Sequence, residues 1–237
     1  TLPDTDAVTH YIIKFGRGPN EQLAAILRHE AVYMGIAAHL GLRVHASLTL
    51  RERALFIPRF DRVAESGEVT RLGQESLAAL MGMAGFGVVP THDDACVRLA
   101  TACTRPEDEL LEYLKRDVAN LAFGNKDNHA RNTAIRRDFA GNVQLTPVFD
   151  FAPMYLHPDG LARRMRWQGK EQQGVDWKAV LDTVCARTEL AREPLVSGLR
   201  AMAGPLRDVA ERGDEFGLEP GIHRYLVPGI LAPAQAP

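Results

Sequence analysis

Three polar residues near the middle of the chain have the types and spacing that phosphoryl transfer requires. Asn132 follows Asp127 by five residues, and Asp150 follows Asn132 by eighteen. Transfer of a γ-phosphoryl group needs a carboxylate that orients the attacking hydroxyl and accepts its proton, and oxygen ligands that hold Mg²⁺. We therefore interpret Asp127 as the catalytic base and Asn132 and Asp150 as magnesium ligands.

The order of the three residues is that of a protein-kinase catalytic loop followed by a second metal-binding Asp on a separate strand-turn. Between Asn132 and Asp150, the β-prone runs 133–135 and 143–145 flank a turn signal at 138–142. This pattern predicts a β-hairpin that brings Asn132 and Asp150 to one end of a sheet. Because loops are rich in Asp and Asn, the three residues alone leave an ordinary turn open as an alternative.

Two charged residues nearer the N-terminus are candidates for a phosphate-binding pair. Lys14 ends the short β-prone run 11–13, where its ammonium can meet the α- and β-phosphates of a nucleotide. The alternative is an edge-strand lysine that only discourages aggregation. Residues 21–40 have apolar positions at helical spacing, and Glu30 lies inside this predicted helix. Glu30 is either the partner of Lys14 or an exposed helix glutamate.

Periodicity also predicts the surrounding elements. Residues 54–57 suit a strand that leaves a sheet for a connector at 58–62, and Gln74 and Glu75 are predicted to begin a helix. The tail at 228–237 is dominated by Pro and Ala, which indicates a frayed end. Further helices are predicted at 93–103, 106–123, 177–187, 193–202 and 205–212.

Six blocks of the sequence occur in the order seen in HipA-like serine/threonine kinases, and the chain resembles that family from about Thr9 to about Met154. The blocks are residues 9–15, 29–30, 59–62, 74–75, 124–132 and 145–150. The resemblance implies a kinase-like bilobal α+β fold. We expect a small mixed N-lobe at residues 1–62, which carries the phosphate lysine and the hinge, and a mainly helical C-lobe at 63–237.

The resemblance also implies a nucleotide site. The adenine edge would bond to the hinge backbone, where Pro58 keeps its carbonyl acceptor and Phe60 its N–H. The family more often has Glu where Pro58 stands, a change that removes no backbone acceptor. His129 would lie near the phosphates and Gln74 near the nucleotide, although ordinary polarity at a helix start also explains Gln74. The nucleotide-binding set is then Lys14, Pro58, Phe60, Gln74, His129, Asn132 and Asp150.

The activity that the resemblance implies is that of an ATP-dependent serine/threonine protein kinase, with Mg²⁺ as cofactor. HipA-like kinases act as toxins of toxin–antitoxin pairs, so the expected partners are a small HipB-like DNA-binding antitoxin and a translation-related substrate such as an aminoacyl-tRNA synthetase. Two alternatives stay open: a non-catalytic remnant that binds an antitoxin-like partner, and a small-molecule phosphotransferase. A hydrolytic His-carboxylate metal site at Asp127, His129 and Asp150 is weaker, because no second His has ligand spacing.

The start of the chain bears on the strength of nucleotide binding. Kinases cover the nucleotide phosphates with a Gly-rich or Ser-containing loop before the lysine strand, whereas residues 1–10 contain no glycine. We therefore expect weaker binding of Mg²⁺-ATP. We also expect the chain to be a fragment, the product of a shortened reading frame, or one half of a split system.

Composition excludes several other classes of protein. The 237 residues are 46% hydrophobic, which suffices for a sizeable core, and a net charge of -2 gives no basic field for direct nucleic-acid binding. Three cysteines without a C-x-x-C pair indicate reduced thiols in a cytoplasmic protein. No signal peptide is recognisable, and the longest apolar stretch, at 78–90, is too short to span a bilayer.

Overall fold

The computed structural model describes residues 3–16, 18–83, 85 and 89–234. Its N-terminal part is a three-stranded antiparallel sheet beside one long helix. Leu55 in the middle strand is fully buried and lies opposite Lys14 in the register, so the two side chains share the face of the sheet that α1 covers. The elements are β1 (Tyr11–Phe15), α1 (Glu21–His39), β2 (Thr49–Arg51) and β3 (Ala54–Pro58), with strand order β1-β3-β2.

Helix α1 begins and ends with clear local signals. The Asn20 side chain accepts a hydrogen bond from the backbone N–H of Leu23 and so caps the first turn. At the other end, Gly41 adopts a φ of 71°, a conformation that glycine reaches without strain. The helix predicted at 21–40 is confirmed to within one residue, and its buried side includes Glu30.

The chain then forms two small antiparallel sheets that the sequence predicted only in part. The hairpin of β4 (Arg62–Glu65) and β5 (Glu68–Arg71) was not predicted. The helix start predicted at Gln74 and Glu75 is wrong, because these residues lie in β6 (Gly73–Ser76), which pairs with β7 (Ala134–Arg137). The helix begins only after Ser76, whose side chain caps α2 (Leu77–Leu80). The hairpin predicted at 133–145 is confirmed as β7 and β8 (Val143–Leu145).

The remaining chain is mainly helical, and the five helices predicted there are confirmed to within two residues at each end. The prediction of a frayed end at 228–237 is wrong for residues 228–234, which belong to the last helix. Residues 235–237 lie outside the described residues. Ile222, Leu226 and Ile230 form a buried stripe on that helix, and its packing offsets the cost of Pro228. The helices are α3 (His92–Ala102), α4 (Pro106–Ala122), α5 (Trp177–Thr188), α6 (Arg192–Arg200), α7 (Ala203–Glu211) and α8 (Pro220–Ala234).

Helix α4 is the central element of this helical part. Leu110 and Leu114 belong to one apolar core together with the β6-β7-β8 sheet, α3 and α5. Val118 and Ala119, one turn further on, belong to a second core together with α1, α7 and α8. Packing on both sides therefore fixes α4 and the loop that follows it. No helix among the described residues is long and apolar enough to cross a membrane.

Candidate functional site

Lys14 is the point at which three distant segments meet. Its Nζ donates to Glu30 Oε1 at 2.7 Å, and it also contacts Asp150 Oδ1. The Glu30 side chain is only 5% exposed and forms an ion pair with Lys14. Glu30 is therefore the partner of Lys14 and not an exposed helix glutamate. The contact joins β1, α1 and the turn after β8.

Electrostatics keep Lys14 charged. Burial opposes the ammonium form, but the carboxylates of Glu30 and Asp150 outweigh burial and raise the pKa of Lys14 above its usual value. For Glu30, burial raises the pKa of the carboxyl, and the Lys14 ammonium opposes that rise. Lys14 therefore presents a fixed cation at neutral pH. A compact ammonium of this kind is suited to phosphate oxygens.

The segment 124–132 follows α4 and begins at Gly124. No other residue could replace this glycine without strain. Gly124 has a φ of 63°, and a Cβ built on it would lie 2.7 Å from Tyr155 Cδ1. The backbone on both sides is tied down: Tyr33 Oη donates to the Phe123 carbonyl at 2.9 Å, and the Tyr155 N–H donates to the Gly124 carbonyl at 3.1 Å. These contacts set the direction in which the loop leaves the helix.

Within this loop, Asn132 is bonded back to Asp127. The Asn132 Nδ2 donates to the Asp127 carbonyl at 2.9 Å, which leaves the Asn132 Oδ1 available as an oxygen ligand. The Asp127 side chain is 38% exposed, so its carboxylate is accessible to a substrate. His129 Nδ1 accepts the Arg131 N–H, so the neutral ring carries its proton on Nε2, which lies 3.7 Å from Asp127 Oδ1.

Asp150 lies in an unusual backbone conformation at the end of the β8 segment. Its φ of 52° is in the left-handed region, which non-glycine residues rarely occupy and which often marks a functional turn. Asn125 spans this turn, since its Nδ2 faces both the Asp150 carbonyl at 3.5 Å and Asn120 Oδ1 at 2.8 Å. Asp150 and Asn132 line the same small cavity, so the hairpin brings the two predicted ligands together.

The donor set at this place fits Mg²⁺. Asn132 and Asp150 supply oxygens only, and Mg²⁺ is commonly bound by one or two protein oxygen ligands together with substrate phosphates and water. Among the described residues, no group of three or more His, Cys, Asp or Glu side chains could hold a metal ion. The alternative of a His-carboxylate hydrolytic site at His129 is therefore not supported by the geometry.

The predicted hinge has free backbone groups at the end of β3. Pro58 pairs with Tyr11, whereas the hydrogen bond is made one residue further on, from the Arg59 N–H to the His10 carbonyl at 2.8 Å. Because hydrogen-bonded and non-hydrogen-bonded pairs alternate along an antiparallel ladder, the Pro58 carbonyl points away from β1. It points to the side of β2, which pairs with β3 only as far as Phe56. Pro58 thus interrupts no ladder bond. Within the described chain, no hydrogen bond of the Phe60 N–H is found.

Gln74 is less clearly part of this arrangement. It is exposed on β6, where it pairs with Arg136, and no hydrogen bond among the described residues joins it to Lys14 or Asp150. Its nucleotide role remains a prediction.

A buried charge network that the sequence did not reveal supports the Asp150 segment. Arg43 makes two hydrogen bonds to Glu109, each of 2.8 Å, and donates to the Leu145 carbonyl at 2.7 Å. Glu109 in turn accepts the Leu145 N–H at 2.8 Å, and Arg116 donates to the Thr146 carbonyl at 2.6 Å. Glu109 and Arg116 lie on α4, where charged residues look solvated in sequence, and only the tertiary fold shows that these two are buried.

The small sheet with its lysine–glutamate pair and the Asp–Asn loop define the chain as a kinase-like α+β protein, and two solved structures confirm this fold class. HipA in the Shewanella oneidensis MR-1 toxin–antitoxin complex of HipA, HipB and operator DNA matches with a TM-score of 0.67 at 20% identity, over 95% of this chain and 57% of that one. The Helicobacter pylori proinflammatory kinase CtkA matches with a TM-score of 0.56 at 15% identity, over 95% and 83%.

Sequence comparison then specifies the family. The HipA-like C-terminal domain matches residues 2–205, and the chain belongs to this family, as the resemblance indicated. A curated relative from Sinorhizobium fredii (strain NBRC 101917 / NGR234), named "Putative kinase Y4mE", is 30% identical over 169 residues. The match covers 67% of this chain and 39% of that relative, so the chain corresponds to only part of it.

Proposed function

We propose that this chain is the catalytic part of an ATP-dependent serine/threonine protein kinase of the HipA-like type. The observation that carries the proposal is the contact of Lys14 with both Glu30 and Asp150, which unites the predicted phosphate cation with a predicted metal ligand. Membership of the HipA-like C-terminal domain family supports it.

Nucleotide binding follows from the free groups of the site. The adenine edge bonds to the Pro58 carbonyl and the Phe60 N–H, and Lys14 turns its ammonium to the α- and β-phosphates while Glu30 holds it. Asn132 Oδ1 and the Asp150 carboxylate would hold Mg²⁺, which would supply positive charge to the phosphates. His129, whose Nε2 lies 3.7 Å from Asp127 Oδ1, would lie near the phosphates.

Asp127 carries out the proton transfer. Its carboxylate orients a serine or threonine hydroxyl and accepts the proton as the hydroxyl oxygen bonds to the γ-phosphorus. The bond from the γ-phosphorus to the bridging oxygen breaks at the same time, and ADP leaves. The hydrogen bond from Asn132 to the Asp127 carbonyl keeps the base and the metal ligand in fixed relation. The exposure of Asp127 suits a hydroxyl carried by a protein.

For partners, we propose a small DNA-binding antitoxin of the HipB type and a translation-related substrate such as an aminoacyl-tRNA synthetase. The support for the antitoxin is the fold that this chain shares with HipA of Shewanella oneidensis MR-1, which was solved together with HipB and operator DNA.

The test is transfer of label from γ-labelled ATP to a panel of purified aminoacyl-tRNA synthetases, with wild-type protein and Asp127→Asn. We expect label on a serine or threonine of one protein, lost by at least 100-fold in the variant. Asp182→Asn, an exposed carboxylate on α5, is the matched control and should retain full activity. Equal labelling by wild type and Asp127→Asn would contradict the mechanism. Label found only in small molecules would favour the small-molecule phosphotransferase.

A further inference from the structure

Asp117 on α4 is a buried carboxylate with hydrogen-bond partners on two different segments. Only 2% of it is exposed. Its Oδ1 accepts from Asn128 Nδ2 at 3.0 Å and from Arg163 at 2.8 Å, and its Oδ2 accepts from Arg163 at 2.9 Å and from Trp167 Nε1 at 2.8 Å. A buried carboxylate that makes four such bonds fixes the groups around it.

The two segments that meet at Asp117 are the catalytic loop and the connection that precedes α5. Asn128 is the residue after the proposed base, Asp127. Arg163 and Trp167 belong to residues 157–176, which follow the Asp150 turn and a short 3₁₀ turn at Met154–Leu156. The Asp117 side chain therefore bonds directly to both the loop that carries the base and the long connecting segment.

The connecting segment has further anchors next to Asp117. The Glu171 carboxylate accepts hydrogen bonds from the Trp167 backbone N–H at 2.8 Å and from Arg163 at 3.0 Å. These bonds link the two ends of the segment 163–171 to each other. His92 stacks on the Trp167 ring with a centroid separation of 4.9 Å. Burial lowers the pKa of His92, so the stacked ring is neutral around pH 7 and can become charged only under acidic conditions. The segment is consequently held as a unit, and Asp117 is its bond to the loop.

We propose that Asp117 is a positioning residue that couples the segment 163–171 to the catalytic loop through Asn128, so that phosphoryl transfer by Asp127 depends on how this segment is held. The inference rests on the proposed kinase function. It makes the segment a support of the catalytic loop, and the segment lines a cleft that is also lined by Lys126, the residue before the base.

Single-bond variants test this coupling without removing the carboxylate, whose loss could unfold the protein. Asn128→Ala removes the bond on the loop side, and Trp167→Phe removes the indole N–H on the segment side together with part of the buried ring that stacks on His92. We expect each variant to lower kcat at least tenfold, with the KM for ATP changed less than twofold. Because both bonds end on Asp117, the effects in the double variant should be clearly non-additive. Asn142→Ala, at a position in the β7–β8 turn, is the matched control and should keep the wild-type kcat.

A second readout does not require activity. Hydrogen exchange of the backbone amides at 124–132 should become about tenfold faster in Trp167→Phe and stay unchanged in Asn142→Ala. Faster exchange without any phosphoryl transfer by the wild type would preserve the coupling and overturn the kinase proposal alone. Unchanged exchange in the loop, together with additive effects on kcat, would overturn the coupling and leave the kinase proposal standing.

Discussion

Lys14 and Glu30 form an ion pair with 2.7 Å between Nζ and Oε1, and this pair joins the small sheet to helix α1. The same ammonium contacts Asp150, which follows it by 136 residues. A strand, a helix and a distant turn are thus held at one cation. The pair explains why an acidic residue is buried on α1, and in the proposed function it sets where a phosphate binds.

We predict that Lys14→Met abolishes phosphoryl transfer and also destabilises the fold. The substitution removes the phosphate cation and leaves the buried Glu30 carboxylate without its partner, which costs on the order of 3 kcal/mol. Glu30→Gln should be milder, with transfer about tenfold slower, since Lys14 keeps its contact with Asp150. Labelled-ATP assays and urea denaturation measure the two effects. Lys178→Met, at an exposed position on α5, should change neither.

Asp127→Asn and Asp150→Asn should separate chemistry from binding. Both variants are expected to lose transfer, because one lacks the base and the other a metal ligand. Only Asp150→Asn should strongly weaken Mg²⁺-nucleotide binding, because Asp127 contributes to proton transfer and not to metal binding. Undiminished activity in both variants would refute the assignment.

Gly124→Ala should destabilise the protein by about 3 kcal/mol, because a Cβ there meets the Tyr155 ring and the positive φ adds strain. The control is Gly141→Ala, at a hairpin glycine with a φ of 86° and no atom within 4 Å of the added Cβ. It should cost only about 1 kcal/mol, from φ alone. Urea denaturation gives both values. Equal losses would show that the contact with Tyr155 is unimportant.

Protonation of Asp117 should lower the free energy of unfolding as the pH falls below 4. Burial alone would raise its pKa, but His92, Arg163 and Trp167 outweigh burial and lower the pKa to about 2. The unfolded chain then binds this proton more readily than the folded protein does, so the stabilisation is complete above about pH 4 and is lost as the pH falls towards 2. The difference corresponds to roughly 2 kcal/mol.

The corresponding measurement is urea denaturation of wild type and Trp167→Phe at several pH values between 2 and 6. Because Trp167→Phe removes one bond to the carboxylate, its loss of stability on acidification should be smaller than that of the wild type. A loss of the same size in both proteins would show that the indole bond does not contribute to the low pKa of Asp117.

Much of the fold could be predicted from the sequence. The long helices have strong periodicity, and the β7–β8 hairpin has a clear turn signal at 138–142. The structure confirms both predictions. Strand β6 was missed because Gln74 and Glu75 have no local strand preference and are ordered by pairing with β7. The helical course of 228–234 was missed because it depends on packing against α4, which local composition does not encode.

The candidate site could be predicted only where motifs carry it. Asp127, Asn132 and Asp150 are recognisable from their order, and Lys14 from its strand. The buried supports on α4, Asp117 and the Glu109 that binds Arg43, have no such signal, because a charged residue on a helix gives the same pattern whether it faces water or a buried partner. Their role follows only from the fold.

The most direct test of the account is calorimetric titration of the protein with a non-hydrolysable ATP analogue, with and without Mg²⁺, for wild type and Asp150→Asn. We expect binding that depends on Mg²⁺, with a dissociation constant in the micromolar range, about 8 kcal/mol of affinity, and its loss in the variant. Asp182→Asn should bind as the wild type does. Absence of binding, or binding that is indifferent to both Mg²⁺ and Asp150, would contradict the assignment of a Mg²⁺-ATP site to Lys14, Asn132 and Asp150.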